Sequence, residues 1–311
     1  MSLCVLWEVF PRSVIRGFFL EVTPILVGVK MSRNALSLFS QLFGRTHGVI
    51  IGMIHVKALP GSPRYRLPVK DIIRLACEEA EGYRQAGVDA IIIENMHDVP
   101  YLQADHLGSE VTASMTAVAS KVREVCPSMP CGVQILSGAN KEALSVAMVA
   151  GLDFIRAEGF VFSHVGDEGF LNSCAGELLR YRKNIGAEEV KIFTDIKKKH
   201  CSSHAITADV SIAETASAAE FFGSDGVIVT GSVTGQEASV QEIKDVQASV
   251  DIPVLVGSGV TLSNVEQYLG ASGLIVGSHF KHNGLWHYHP DFSNVKKFMD
   301  KVQNLRGDPA K

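Results

Sequence analysis

From Val49 onward, short runs of β-branched and aliphatic residues alternate with longer stretches whose apolar side chains recur every three or four positions. The short runs are VIIGMIHV (49–56), AIIIENM (90–96), CGVQIL (131–136), FIRAEG (154–159), VKIFTDI (190–196), GVIVTG (226–231), PVLVGSG (253–259) and GLIVGSHF (273–280). Each is nearly apolar until its C-terminal end, as expected of strands covered on both faces. The segments between them, such as DIIRLACEEAEGYRQAG (71–87) and ASMTAVASKVREV (113–125), carry the helical period. Several of these helices stop at a glycine just before the next strand, in QAGVDA, VAGLDF and FFGSDG, the usual C-terminal signal of an αβ loop.

Eight strand-helix units in roughly 250 residues predict a parallel sheet closed into a (β/α)8 TIM barrel. An open doubly wound sheet is the alternative. Against it, the first strand runs into HVKALPGSP rather than a GxGxxG turn, so the dinucleotide fingerprint is missing.

Barrel active sites lie at the C-terminal ends of the strands, where side chains alternate between interior and helix layer. Parity therefore sorts the polar residues. Arg156 and Glu158 share a face with Phe154, opposite the small apolar pair Ile155 and Ala157, so both are expected to point inward. His55 and Lys57 share a parity with Met53; Glu94 and Asn95 close the second strand, Gln134 sits late on the third, and Asp195 closes the fifth. Charges in a barrel mouth are costly unless paired or used, so polar residues at four strand ends point to a site; the alternatives are an Arg156–Glu158 ion pair plugging the barrel and His55 as a satisfied core histidine. The run Lys197, Lys198, Lys199, His200 reads as a solvated patch, from which Lys197 is kept because it continues the parity of Asp195.

Strands seven and eight end VLVGSG and LIVGSH, placing Gly257, Ser258, Gly259, Gly277 and Ser278 side by side. Barrels commonly bind phosphate there, because glycine admits close approach and oriented N–H groups favour an anion. Thr230 and Gly231, at the end of strand six, are expected to line the same pocket. His279, His282, His287 and His289 cluster in the following loop, but their irregular spacing favours packing over metal binding.

The 311 residues are 46% apolar with a net charge of -4, and the absence of a clustered basic patch argues against a nucleic-acid partner. Six scattered cysteines (Cys4, Cys77, Cys126, Cys131, Cys174, Cys201) contain no CxxC pair. Reduced thiols in an intracellular protein, mitochondrial or cytoplasmic rather than secreted, are the expectation. Residues 1–46 read as an N-terminal extension and 47–311 as one barrel domain. Residues 13–29 are apolar but carry Arg16, Glu21 and Pro24, a poor membrane span. MSRNALSLFSQLFGR (31–45) has arginines, serines, no acid and an apolar face of Leu36, Leu38, Phe39, Leu42 and Phe43, the profile of a mitochondrial presequence. An unstructured extension, or a different start, is the other reading of this segment.

GMIHVKALPGSPRY, GVDAIIIENMHDVPY, FIRAEGFV with GELLRYRK, FTDIKKKHCSSHAI, VIVTGSVTG, VLVGSGVTLSNV and LIVGSHFKHNG together resemble the BtpA family over Val49 to Leu305. The resemblance implies a barrel of the ribulose-phosphate-binding type. It leaves the reaction open, because the family includes a photosystem I assembly factor and a sugar-operon protein. Two functions follow. One is an enzyme on a phosphorylated sugar or phosphoribosyl compound: a lyase, aldolase, isomerase or glycosyl-bond-cleaving enzyme. In it the phosphate would sit on strands seven and eight, with Glu94, Asp195, Lys57 and Lys197 over the reacting carbons. The other is a non-catalytic assembly factor binding a protein partner. No cofactor is expected; metal-assisted hydrolysis through His55, Glu94, Glu158 and Asp195 stays open, as does a homo-oligomer.

Overall fold

In a computed structural model, residues 32–198, 202–203, 205–231 and 236–307 are described. Cys4, residues 13–29, Lys199, His200 and Cys201 lie outside them. Eight parallel strands close a barrel: β1 (Val49–His55), β2 (Ala90–Glu94), β3 (Cys131–Gln134), β4 (Phe154–Ala157), β5 (Lys191–Ile196), β6 (Gly226–Val229), β7 (Val254–Val256) and β8 (Gly273–Val276). Each pairs with its sequence neighbours, and β8 closes onto β1 with Val49 opposite Gly273. Except for β5, which ends at Ile196 as expected, the strands stop one to four residues short of the expected runs, where the chain passes into loops.

Helix α1 (Ser32–Phe43) precedes the barrel. The others are α2 (Val69–Ala86), α3 (Ser109–Val125), α4 (Asn140–Ala150), α5 (Ala175–Asn184), α6 (Ile212–Phe221), α7 (Val240–Ser249), α8 (Val265–Tyr268) and α9 (Phe292–Arg306). Alternation divides the apolar residues as the parity reading requires. Ile50, Ile54, Ile91, Ile93, Ile155 and Ile192 pack against the helices, and Val49, Ile51, Ile92, Phe154, Phe193 and Ile228 fill the interior.

A Gly-x-Asp sequence before β2, β4 and β6 locks the lower rim. Gly87 and Gly151 take left-handed conformations that end α2 and α4, a geometry glycine adopts without penalty. Two residues on, Asp89 accepts the N–H of Ile50 at 2.7 Å, Asp153 that of Cys131 at 2.8 Å and Asp225 that of Ile192 at 2.8 Å. Each carboxylate also holds an arginine: Arg306, Arg123 and Arg182 respectively. The even strands thereby satisfy N–H groups of the odd ones that the ladder leaves over.

Helix α1, which falls within the expected extension, belongs to the same compact unit as the barrel. Phe39 and Phe43 are buried in the interior cluster, their rings 4.5 Å apart, with Phe43 5.6 Å from Phe154 and Phe39 5.9 Å from Phe193. Of the apolar face that reads as a presequence, Phe39 and Phe43 are buried in the barrel floor with Leu42 packed beside them, while Leu36 is exposed. Phe154 and Phe193 cross the interior because the residues facing them are glycine; a Cβ on Gly132 would sit 2.3 Å from the Phe154 ring, and one on Gly226 2.8 Å from Phe193.

After β4 the chain makes an excursion, absent from the sequence reading, in which His164–Gly166 pairs antiparallel with Gly169–Leu171 and with Ser202–Ser203. It overhangs the C-terminal end of the barrel. The described cysteines Cys77, Cys126, Cys131 and Cys174 are free thiols, and burial pushes Cys131 up to about 12. No described helix is long and apolar enough to cross a membrane.

Candidate active site

A pocket of about 250 Å³ opens at the C-terminal end of the barrel, lined by His55, Glu94, Gln134, Arg156, Thr230 and Gly277, the inward residues at strand ends. Lys198, Ser258 and Gly259 complete it from the loops.

Glu94 ends β2 at 6% exposure. Burial raises its pKa from 4.5 to about 7; Arg156 and Lys198 pull down, while Glu158 and Asp195 add to the rise. A carboxyl group poised near neutrality can both take and give a proton. His55 Nε2 lies 3.6 Å from Glu94 Oε2. Its Nδ1 is 2.8 Å from the Trp286 carbonyl, which only accepts, so the proton sits on Nδ1 and Nε2 offers its lone pair to the pocket. Burial, reinforced by Lys281, holds the His55 pKa well below the usual range, and the ring is neutral.

Two ion pairs cross the opposite wall. Arg156 grips Asp195, with Nε 3.1 Å from Oδ1 and Nη2 3.1 Å from Oδ2. Burial opposes the charge on Arg156, but Asp195, Glu94 and Glu158 outweigh it and raise its pKa. Asp195 is committed to that pair, with its side chain 1% exposed, and does not line the pocket. Glu158 accepts from Gly138 N–H at 2.8 Å, from Gln134 Nε2 at 3.1 Å and from Lys198. Burial acts against its charge, yet Lys198 and these donors keep its pKa below the ordinary value.

Besides Asp195 and Glu158, which meet the pocket only through their partners Arg156 and Lys198, three further expected catalytic residues lie outside the pocket lining. Lys197 turns away, donating to the Thr207 carbonyl at 2.8 Å. Its positive φ of 42° breaks the strand alternation, so the neighbour dismissed as solvated, Lys198, enters instead. Asn95 is structural: its Oδ1 accepts Leu136 N–H at 2.7 Å and its Nδ2 donates to Asp98 at 2.9 Å, tying the loop after β2 to that after β3. Lys57 is half-buried beyond the pocket wall, and burial lowers its pKa against the pull of Glu79.

The glycine turns divide by role. The N–H of Gly231 donates to Ser258 Oγ at 2.8 Å and that of Gly257 to the Val229 carbonyl at 2.9 Å, so neither is open to an anion. Gly231 and Gly259 are glycine for packing: a Cβ on either would meet the Gln236 carbonyl oxygen at 2.1 Å. Among the described residues, the N–H groups of Ser258, Gly259, Gly277 and Ser278 have no hydrogen-bond partner. A Cβ on Gly277 would make only ordinary contacts, 3.6 Å from Met53 and 3.7 Å from His55 Nε2, so packing does not demand glycine there. Thr230 Oγ1 is buried without a partner among the described residues.

Several features were not foreseen. Trp286, from the loop before α9, reaches His55 across 231 residues of sequence and packs on His97 at 5.1 Å. In the same loop Lys281, wholly buried, holds Glu79 at 2.8 Å. Of the histidine cluster, His279 accepts Leu262 N–H at 3.0 Å and packs on Phe298, a structural role. Among the described residues no three His, Cys, Asp or Glu side chains converge as a metal set.

Comparison with known proteins agrees with this architecture. An uncharacterized mitochondrial protein of Caenorhabditis elegans is 48% identical over 271 residues, covering 86% of this chain and 97% of the relative. The photosystem I biogenesis protein BtpA of Synechocystis is 30% identical over 270 residues, covering 86% and 92%. Among solved structures, tryptophan synthase of Mycobacterium tuberculosis superposes with a TM-score of 0.55 at 15% identity, covering 86% of this chain and 97% of that one. Thiamine phosphate pyrophosphorylase of Pyrococcus furiosus does so at 0.51 and 12%, covering 86% and 98%. Both share the fold. The BtpA family profile matches residues 46–304, and the chain belongs to the BtpA family.

Proposed function

We propose that this protein is an enzyme acting on a phosphorylated sugar or phosphoribosyl-type small molecule by general acid-base chemistry. One observation carries the reading: unpartnered N–H groups at the glycine turns after β7 and β8 share a pocket with Glu94, whose pKa is about 7. The phosphate would be held by the N–H groups of Ser258, Gly259, Gly277 and Ser278, with Thr230 Oγ1 donating from β6. Its remaining atoms would then extend across the pocket to Glu94. Glu94 exchanges a proton with the substrate, His55 Nε2 accepts a hydrogen bond beside it, and Arg156 and Lys198 stabilise negative charge developing on oxygen. Lyase, aldolase, isomerase and glycosyl-bond-cleaving reactions all fit such an acid-base set.

The test is a thermal-shift screen of the full chain against phosphosugars and phosphoribosyl compounds, repeated with Gly277→Ala, which fills the proposed phosphate position. A ligand that binds only the folded state raises Tm by mass action. The reading requires a compound that stabilises the wild type and not the variant; no shift with any phosphorylated compound would refute it.

A second reading, a partner-binding assembly factor, rests on the name of the Synechocystis relative and on an apolar cluster beside the pocket. There Phe162, Val165 and Phe170 are 39%, 40% and 48% exposed on the excursion. Cellular function that survives Glu94→Gln but is lost in Phe170→Ser would favour it. For the compartment, the worm relative's name supports the mitochondrion, which imaging of a tagged full-length chain would check.

A further inference from the structure

From His55, beside Gly277, round to Gln134 on β3, the pocket wall sets two acceptors of fixed orientation on either side of the Glu94 carboxyl group. Gln134 ends β3 at 2% exposure and lines the pocket. Its Nε2 donates to Glu158 Oε1 at 3.1 Å. Glu158 also receives Gly138 N–H and Lys198 and is therefore a carboxylate, which can only accept. The carboxamide of Gln134 cannot flip without setting its oxygen against that carboxylate. Its Oε1 is thus the atom left over, and it is buried with no partner among the described residues.

The neighbouring strands repeat the pattern. Glu94 lies opposite Gln134 in the β2–β3 register, and His55 opposite Glu94 in the β1–β2 register. His55 Nε2, the Glu94 carboxyl group and Gln134 Oε1 therefore form one row, about 4.8 Å from strand to strand. Among the described residues, the cations lining the pocket are Arg156 and Lys198, which already hold Asp195 and Glu158. A carboxylate placed against this row would face acceptors, while hydroxyl or N–H donors would satisfy them. Sites built to hydrogen-bond a group discriminate strongly because the wrong ligand leaves buried atoms unpaired.

We propose that Gln134 is a specificity-determining residue, and that it selects phosphorylated compounds whose far end carries neutral hydroxyl or N–H donors over those ending in a carboxylate. The proposal rests on the phosphate reading above and narrows it. Lys198, through Glu158, is the positioning residue that holds the Gln134 amide in this orientation.

The test is calorimetric titration of the full chain with three probes: inorganic phosphate, ribose 5-phosphate, and 5-phosphoribonate, which has the same chain length but a terminal carboxylate. The wild type should bind ribose 5-phosphate at least about tenfold more tightly than 5-phosphoribonate, the order expected for one buried hydrogen bond. Gln134→Leu should cut that ratio severalfold and leave phosphate affinity unchanged; Gln134→Met, closer in volume, replaces it if the leucine variant does not fold. Equal affinities in the wild type, or a ratio that survives in the variant, overturns the role of Gln134 while the phosphate site stands. If none of the three probes binds, the phosphate reading falls and this inference with it.

Discussion

At the N-terminal end of the barrel interior, Phe39, Phe43, Phe154 and Phe193 meet ring to ring at 4.5 to 6.2 Å. At the C-terminal end, the next inward residues on the same strands are Arg156 and Asp195, and a pocket of about 250 Å³ replaces the rings. A shift of two residues along β4 and β5 thus exchanges a packed aromatic layer for a buried ion pair. The floor gains stability from burial and is sensitive to changes of volume; the mouth carries N–H groups and side-chain atoms without a partner among the described residues. Mutations at the two ends should therefore separate stability from binding.

The largest effect is expected at the floor. Phe39→Ala or Phe43→Ala removes a ring from a filled interior, which costs about 3–5 kcal/mol, a fall in Tm on the order of 10 °C for a chain this size. Ligand-induced shifts at the mouth should persist on top of the lowered melting point. A Tm within 2 °C of the wild type would mean that α1 only rests against the barrel.

Next comes the Arg156–Asp195 pair, which lies at the mouth and is buried as the floor is. Asp195→Asn leaves a buried guanidinium without its counter-charge, at a cost of about 3–5 kcal/mol. Replacing both, as Arg156→Met with Asp195→Leu, should restore much of that stability while ligand binding stays lost. Urea unfolding of the three variants measures the first, and titration the second. A double variant no more stable than Asp195→Asn would show that the pair does not act as a unit.

How much of this could be read from sequence follows from which interactions are local. Strand parity is a property of two-residue spacing, so His55 and Arg156 could be placed inward without a structure. It fails once the chain leaves extended geometry. The left-handed turn at Lys197 exchanged the expected lysine for Lys198, and no residue type marks such a turn when the sequence reads Lys-Lys-Lys. For α1, an amphipathic helix with arginines and no acid is the same object whether it is an import signal or a barrel plug; only the rings it meets decide. The Trp286 carbonyl that sets the His55 tautomer is a backbone atom distant in sequence, and leaves no trace in composition. The Gly-Ser-Gly turns were visible, but the separation of Gly231 and Gly259, needed for packing, from Gly277, which is not, depends on where Gln236 lies.

A smaller effect follows from Glu94. Its folded pKa of about 7 stands above the ordinary 4.5, so between those values the folded protein keeps a proton that the unfolded chain has released. Stability is full below about 4.5, falls as pH rises towards 7, and levels off above. The span corresponds to roughly 3 kcal/mol at most. Glu94→Gln mimics the protonated side chain and removes this slope. The difference in unfolding free energy between variant and wild type should then grow from near zero at pH 4.5 to its maximum above pH 7. A pH-independent difference would place the Glu94 carboxyl group in water rather than in the barrel.

The smallest effect on stability, and the most informative about the mouth, is expected from Gly277→Ala. The added methyl group meets Met53 and His55 only at 3.6 to 3.8 Å, ordinary contact distances, so the unliganded Tm should move by less than about 2 °C, within the range of substitutions that disturb no packing. The same methyl group stands on the inward side of the turn, beside the N–H groups of Gly277 and Ser278, where it keeps an anion from approaching the backbone. Binding of phosphorylated ligands should fall at least tenfold while the fold is unchanged. At the floor, by contrast, Gly132→Ala would set its methyl group 2.3 Å from the Phe154 ring and should lower Tm without touching the pocket. If Gly277→Ala lost stability as Gly132→Ala does, the glycine after β8 would be a packing residue like those of the floor, and the distinction between the two ends would fail at the position where the proposed phosphate site depends on it most.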